Sequence, residues 1–440
     1  PEPEPELPDF PGEFYEMITN VEWNSNTQPK ILASDSATDD YFSWSVAISG
    51  DHAIVGAPDK NYNSLNVVGA AYMFKRNVNG TWNATETQKI MANVPGANDG
   101  FGVSVAISGT TAIVGAYGED PNGLSEAGAA YIFEYDGTTW TQVQKIQANV
   151  PVASDYFGSS VAISGTTAIV GAKYEDTGGS SAGAAYIFER NGDGSWNTTE
   201  TQKIQASDKQ ASDYFGAVAI SGTTAIVGAR REDTDGTTDN AGAAYIFEKD
   251  GSTGNWSHVK KITPSSRVSG EEFGHNLAID GNYIIVGTNS GGASYIFERD
   301  GAGNWGDTET HKILGEGNYA YHANVAISGT TAIVGNDYGR PTGLTQSGEA
   351  HVYERNETTG NWVGHQITAP TPRDSGGFGF SVAISGTTIF IGAEDTTSTH
   401  VGAAYIFDRT VTQTPSTTPT LKAPATVTLD GTTLLIENNM

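Results

Sequence analysis

Residues 101–116, FGVSVAISGTTAIVGA, return in six further copies, and a chain that repeats one unit seven times has few folds open to it. In each copy two alternating apolar runs, here SVAIS and TAIVGA, flank a tight turn, here Ser-Gly-Thr-Thr. The alternation predicts a hairpin whose strands bury at least one face. The opening aromatic stands at Phe42, Phe101, Phe157, Phe215, Phe273, Tyr321 and Phe378, in steps of 59, 56, 58, 58, 48 and 57 residues. A third strand of Gly-Ala-Ala-Tyr-Ile-Phe pattern begins at Gly69, Gly128, Gly183, Gly242, Gly292, Gly348 and Gly402, with Gly292 and Gly348 opening varied copies. A fourth strand runs from a Trp to a Gln-Lys-Ile, as from Trp140 to Ile146. Four strands in a unit of about 57 residues is the pattern of a propeller blade, a twisted sheet that stacks on its neighbours around an axis.

The two ends predict how the ring closes. The seventh unit has no fourth strand after Phe407, while an orphan one, with Trp23, Gln28, Lys30 and Ile31, precedes Phe42. The N-terminal strand is therefore expected to complete the last blade, which leaves no long unpaired edge. The expected fold is all-β: a seven-bladed β-propeller of four-stranded blades over residues 23–410. Residues 1–22 begin with alternating Pro and Glu and read as an extended linker. The start at Pro1 reads as a processed or trimmed product. Residues 411–423 read as a Thr/Pro linker, and 424–440 as a hairpin around Asp430-Gly431 or the stub of a further element.

Composition excludes several function classes. With 51 acidic against 23 basic residues, a formal charge of −28 repels a phosphate backbone, so no nucleic-acid partner is expected. No apolar run approaches the ~18 residues of a membrane helix, so no transmembrane segment is expected. The absence of cysteine removes disulfides, thiolate metal sites and Cys nucleophiles together. The eight histidines are scattered, without a zinc motif or a Ser-His-Asp context.

These units resemble FG-GAP repeats, the blades of integrin α-subunit propellers and of many secreted microbial proteins. Phe-Gly stands at 101–102, 157–158, 215–216, 273–274 and 378–379, and Gly-Ala closes the second strand at 56–57, 115–116, 171–172, 228–229 and 392–393. Only the first copy reads Gly56-Ala57-Pro58 in full. The resemblance implies an extracellular, secreted or surface-attached propeller that meets ligands on the face of its long connections. In integrin-like blades the turn between the first two strands often carries a calcium loop of the form DxDxDG. Here it is Ser-Gly-Thr-Thr in five units, Ser49-Gly50-Asp51-His52 in the first and Asp280-Gly281-Asn282 in the fifth. Such turns do not supply the six or more oxygen ligands of calcium.

Blade topology puts those turns and the three-to-four connections on one face, and the long, varied connections on the other, where binding is usually found. The long-connection face is acidic. Glu-Asp pairs recur at Glu119-Asp120, Glu175-Asp176, Glu232-Asp233 and Glu394-Asp395, and a second acid precedes the blade aromatic at Asp40, Asp99, Asp155, Asp213 and Glu271. These carboxylates either cap turns or present a surface to calcium or a cationic partner. For calcium the richest loop holds Glu232, Asp233 and Asp235, with Asp239 nearby. Units five and six break the pattern together, which draws attention to Tyr319, Tyr321, His322 and Arg340, with His275, Asn276 and Asn324 near them in sequence. Aromatic, His, Asn and Arg side chains suit a sugar, by stacking and hydrogen bonding.

The expected function is therefore a binding or adhesion module that recognises a protein or glycan through the long-connection face. Its candidate residues are Glu119, Asp120, Glu175, Asp176, Tyr319, Tyr321, His322, Arg340, Glu394 and Asp395. One alternative is a lyase-like enzyme acting on polysaccharide near blades five and six, although no assembled catalytic motif is visible. Another is a structural component of a larger surface assembly, docking through the C-terminal hairpin.

Overall fold

The computed structural model describes residues 15–24, 29–233, 237, 239–314, 323–341, 343–394, 401–419, 426–429 and 432–435. The chain divides into two compact units, Ser25–Asp408 and a second made of Pro1–Asn24 with Arg409–Met440.

The first unit is the seven-bladed propeller. Its second blade shows the plan: Val105–Ser108, Thr111–Ala116, Ala129–Tyr135 and Trp140–Ile146 form one antiparallel sheet in sequence order. Thr111–Ala116 is buried at every position and Ala129–Tyr135 at its first five, because both lie between neighbouring blades. In Val105–Ser108 burial alternates, since one face packs on a blade and the other turns to the ring axis. The apolar clusters span adjacent blades. One joins Ile54, Met73 and Ile90 of the first blade to Phe101, Tyr131, Phe133 and Trp140 of the second. Neither blade can bury that surface alone.

The Phe-Gly and Gly-Ala signatures mark where successive backbones nearly touch. Gly128 forms a parallel bridge with Phe157 of the next blade. It has φ +85°, and a Cβ there would lie 2.0 Å from the Phe157 carbonyl oxygen. A Cβ on Gly115 would lie at the same 2.0 Å from the Gly158 carbonyl oxygen. The Ser-Gly turns add a closed belt at the other end of the ring. The turn amides of Gly50, Gly109, Gly165, Gly222, Gly281, Gly329 and Gly386 donate to the Ser385, Ser49, Ser108, Ser164, Ser221, Asp280 and Ser328 side chains of the preceding blade, at 2.7–3.1 Å. That explains a serine in most of these turns.

The ring closes as the strand count predicts. Lys30–Ile31 pairs with the third strand of the seventh blade, Lys30 opposite Tyr405 and Ile31 opposite Ala404. This is the register of Lys89 and Ile90 on Tyr72 and Ala71 in the first blade. Ile31 is fully buried among residues of both blades, including Phe42, Phe390 and Ile406. The Gly50–Ser385 bond, a bond from Ser381 Oγ to Ser43 O and an Arg76–Asp408 ion pair at 3.6 Å close the seam.

In the second unit, strand Tyr15–Asn24 pairs with the strand that extends from Ala403 to Pro419, and Thr410 Oγ1 donates to Glu22 O at 3.3 Å. Residues 15–22 and 411–419, read from sequence as linker, thus lie in paired strands. Val411, Thr412, Thr414 and Thr417 favour extended backbone, and the partner strand supplies the hydrogen bonds that a linker lacks. Thr426–Leu429 and Thr432–Leu435 form the C-terminal hairpin. Among the described residues no helix is long and apolar enough to cross a membrane.

Candidate ligand-binding face

The long connections gather at the end of the ring opposite the Ser-Gly belt. Each follows the second strand, and seven residues, each two positions past that strand's Gly, stand around the axis at equivalent positions: Pro58, Tyr117, Lys173, Arg230, Asn289, Asp337 and Glu394. The residue before the blade Phe adds a second set. There Tyr41, Tyr156 and Tyr214 have φ of 53°, 58° and 56°, a left-handed backbone rarely given to a bulky residue. Bonds to the preceding blade hold it: Tyr156 N–H donates to Glu126 O and Tyr214 N–H to Ser181 O, both at 3.2 Å.

The result is an aromatic arc across the second to fourth blades. Tyr117, Tyr156, Tyr174 and Tyr214 follow one another with ring centroids 5.1, 4.8 and 5.2 Å apart. Cations rest on it. Lys173 Nζ lies 5.2 Å from the Tyr174 centroid, and the Arg230 and Arg231 guanidinium carbons lie 5.4 and 4.8 Å from that of Tyr214.

Inside this arc a cavity of about 690 Å³ lies on the ring axis, walled by the first strands of all seven blades. Serine and asparagine side chains stitch its wall: Val161 N–H donates to Ser104 Oγ, Val218 N–H to Ser160 Oγ, and Asn276 Nδ2 to Asn324 Oδ1, at 3.0, 3.0 and 2.8 Å. The fourth unit reads FGAVAIS where the third reads FGSSVAIS, so Ala217 takes the stitching position without a hydroxyl. His275, Asn276 and Asn324, singled out in sequence by irregularity, are brought together on this wall with Asn289.

The acidic residues on this face bind the scaffold. Glu119 accepts from Lys145 Nζ and Tyr131 OH. Glu175, 4% exposed, accepts from Lys203 at 2.6 Å and Gln205 at 2.9 Å, and Glu232 from Lys261 at 2.7 Å and Arg267 at 2.6 Å. The adjacent aspartates cap their own loops: Asp120, Asp176 and Asp233 accept from the amides of Glu126, Ser181 and Asn240, each at 2.7 Å. Asp239 accepts from Ala241 N at 3.3 Å. Among the described residues no three His, Asp or Glu side chains converge as a metal site. Arg340 is exposed and Glu394 half-buried, whereas Asp235, Tyr319, Tyr321, His322 and Asp395 lie outside the described residues.

Electrostatics divides the mouth. Lys173 and Arg230 stand on neighbouring blades, and burial together with Arg230 pulls the Lys173 pKa down. On the sixth and seventh blades stand Asp337 and Glu394. Asp337 is 5% exposed, its Oδ1 has no hydrogen bond among the described residues, and burial, helped by Glu394, pushes it up to about 7.

The acids preceding the blade Phe set a pH dependence of stability. Burial, with the nearby carboxylates Glu119, Glu175 with Asp176, and Glu232, pushes Asp99, Asp155 and Asp213 up to about 6 each. Between about pH 4 and 6 the folded chain therefore holds protons that the unfolded chain has released, and stability falls as pH rises through that window. Asp35 and Asp208 act oppositely: hydrogen bonds from Lys89 and Tyr72, and from Lys261 and Tyr245, outweigh burial and lower them, so their contribution is lost in acid. The melting temperature is expected to be higher at pH 5 than at pH 8, with the difference reduced in Asp99→Asn/Asp155→Asn/Asp213→Asn. An unchanged difference in that variant would assign the effect to other groups.

Sequence reading passed over Lys173, Arg230 and the four-tyrosine arc. The available signal was variation at the position after Gly-Ala once the seven copies are superposed.

Comparison with known proteins agrees with this architecture. Residues 26–74, 84–133, 140–188, 198–247, 256–297 and 365–407 match the FG-GAP repeat. No curated protein matches the chain. Among solved structures, a candidate 6-phosphogluconolactonase from Bacteroides uniformis is similar at 13% identity and TM-score 0.51, over 79% of this chain and 90% of that one. A candidate 6-phosphogluconolactonase from Bacteroides fragilis (12%, TM-score 0.49, 79% and 88%) and the periplasmic gluconolactonase of Pseudomonas aeruginosa (13%, 0.48, 79% and 87%) are similar too. Likeness at this identity concerns the fold alone. The repeat matches cover more than half of the sequence, each taking the fourth strand of one blade with the first three of the next: the chain belongs to the FG-GAP repeat family.

Proposed function

We propose that this propeller is a recognition module, displayed outside the cell or on a particle surface, that takes a glycan or protein ligand at its long-connection end. The supporting observation is the aromatic arc of Tyr117, Tyr156, Tyr174 and Tyr214 beside an axial cavity, on a rigid ring whose other end is occupied by its own hydrogen-bonded belt. Aromatic rings beside amide and hydroxyl groups offer stacking and directional bonds to a sugar face. Tyrosines held by inter-blade bonds lose little freedom on binding, which favours affinity.

The test is a glycan-array and protein-binding screen of the full chain, with and without millimolar calcium, repeated with Tyr174→Ala/Tyr214→Ala. Saturable binding lost in that variant supports the reading. Binding that the variant leaves unchanged, or silence across glycans and proteins, sinks it.

A further inference from the structure

The chemistry of the axial cavity narrows the ligand further, and this step rests on the proposed recognition role. The protein carries 51 acidic residues, yet among the described residues no Asp or Glu lines the cavity, Asp337 and Glu394 standing at its mouth on the far blades, whereas Lys173, Arg230 and His275 do line it. Chance placement in so acidic a chain would favour the opposite. Of the two permanent cations, Arg230 has among the described residues one distant ion-pair partner, Glu272 at 3.6 Å, which Arg231 and Asn289 also engage at 3.1 and 3.0 Å. Lys173 has neither a hydrogen bond nor an ion pair among the described residues; beside it are the Tyr174 ring and the repelling charge of Arg230. Elsewhere on this face the fourth-strand lysines Lys145, Lys203 and Lys261 each find a glutamate. A half-buried lysine held against a second cation without a carboxylate is an unfavourable arrangement for the empty protein, and an entering anion relieves it.

We propose that the axial cavity is an anion seat for an acidic sugar, whose carboxylate or phosphate lies between Lys173 and Arg230 and whose ring lies against Tyr214. Size and lining suit this class. About 690 Å³ falls within the ~300–1,000 Å³ of small-ligand sites. The Asn276–Asn324 pair and the neighbouring Asn289 offer amide groups for sugar hydroxyls. Arginine takes an oxyanion through two parallel N–H bonds, and lysine adds a point charge. A cationic recess within a net charge of −28 also admits small anions by short-range contact only, so binding falls with salt less steeply than for a uniformly basic surface.

The experiment is titration calorimetry of the full chain with glucuronate, glucose and inorganic phosphate, on wild type, Lys173→Glu, Lys173→Arg and Arg230→Met, each checked for an unchanged melting profile. Glucuronate should bind saturably and glucose at least tenfold more weakly. Lys173→Glu should abolish glucuronate binding, Arg230→Met should weaken it at least tenfold, and Lys173→Arg should retain it. Phosphate binding with the same Lys173 dependence supports the seat; if phosphate is weaker than glucuronate, the sugar ring is read as well. No binding of either anion to wild type, or full binding to folded Lys173→Glu, overturns the proposal. In the second case the aromatic face remains a candidate for other ligands, so the two readings fail separately.

Discussion

Gly128→Ala is expected to destabilise the propeller by at least about 3 kcal/mol, read as a shift in the urea midpoint. A non-glycine residue in left-handed backbone costs about 1–3 kcal/mol, and overpacking adds about as much. Both apply here. Gly128 sits at φ +85°, and its new Cβ would lie 2.0 Å from Phe157 O, 2.7 Å from Phe157 N and 2.8 Å from Phe157 C, all backbone atoms that cannot swing aside. The clash lies between the second and third blades, where Phe157 packs edge-on against Tyr186 at 5.4 Å, so relief would have to part a buried cluster. Gly192→Ala is the control, since a Cβ there meets nothing within 4 Å and its φ is not positive. That substitution should be neutral within about 0.5 kcal/mol. Equal effects at the two glycines would contradict the close approach of the blades.

Ile31→Asp is expected to cost more than about 4 kcal/mol, and to do so locally. Ile31 is 0% exposed, pairs with Ala404 and touches the apolar clusters of both end blades. A carboxylate there has no cation within the cluster, so it must enter charged and unpaired or pull the strand out. Ile31→Val, which removes one methylene, should cost about 1 kcal/mol. Hydrogen exchange under native conditions distinguishes seam damage from global loosening: protection should fall first in Thr388–Ala393 and His52–Ala57, while Thr167–Ala172 across the ring keeps its rate. A tolerated Ile31→Asp would mean that the ring holds without its N-terminal strand.

Much of this fold is legible in the residues alone, because period-two alternation repeated in register leaves one architecture. The orphan Lys30-Ile31 even identifies the blade it completes, since every other unit owns a Gln-Lys-Ile or its variant. The face was harder to read. Paired acids dominate the long connections in sequence, but Glu119 is neutralised by Lys145, 26 residues away, and no spacing rule announces that partner. Lys173 and Arg230 are 57 positions apart and ordinary in isolation. Only the ring symmetry puts equivalent positions of successive units side by side, so one variable column of the repeat becomes one mouth. The strands at 411–419 and 15–22 escaped for a related reason: Thr and Pro in the first, and the alternating Pro and Glu that lead into the second, describe a segment without a partner, and each of these has one.

The most direct test of the central claim, that ligand is taken at the long-connection end, is hydrogen exchange on the full chain with and without the strongest ligand from the binding screen. The account predicts slowed exchange in the connections at 117–128, 173–183 and 230–242, with the Ser-Gly belt at Gly109, Gly165 and Gly222 unchanged. Protection confined to that belt, with the long connections exchanging as before, would contradict it.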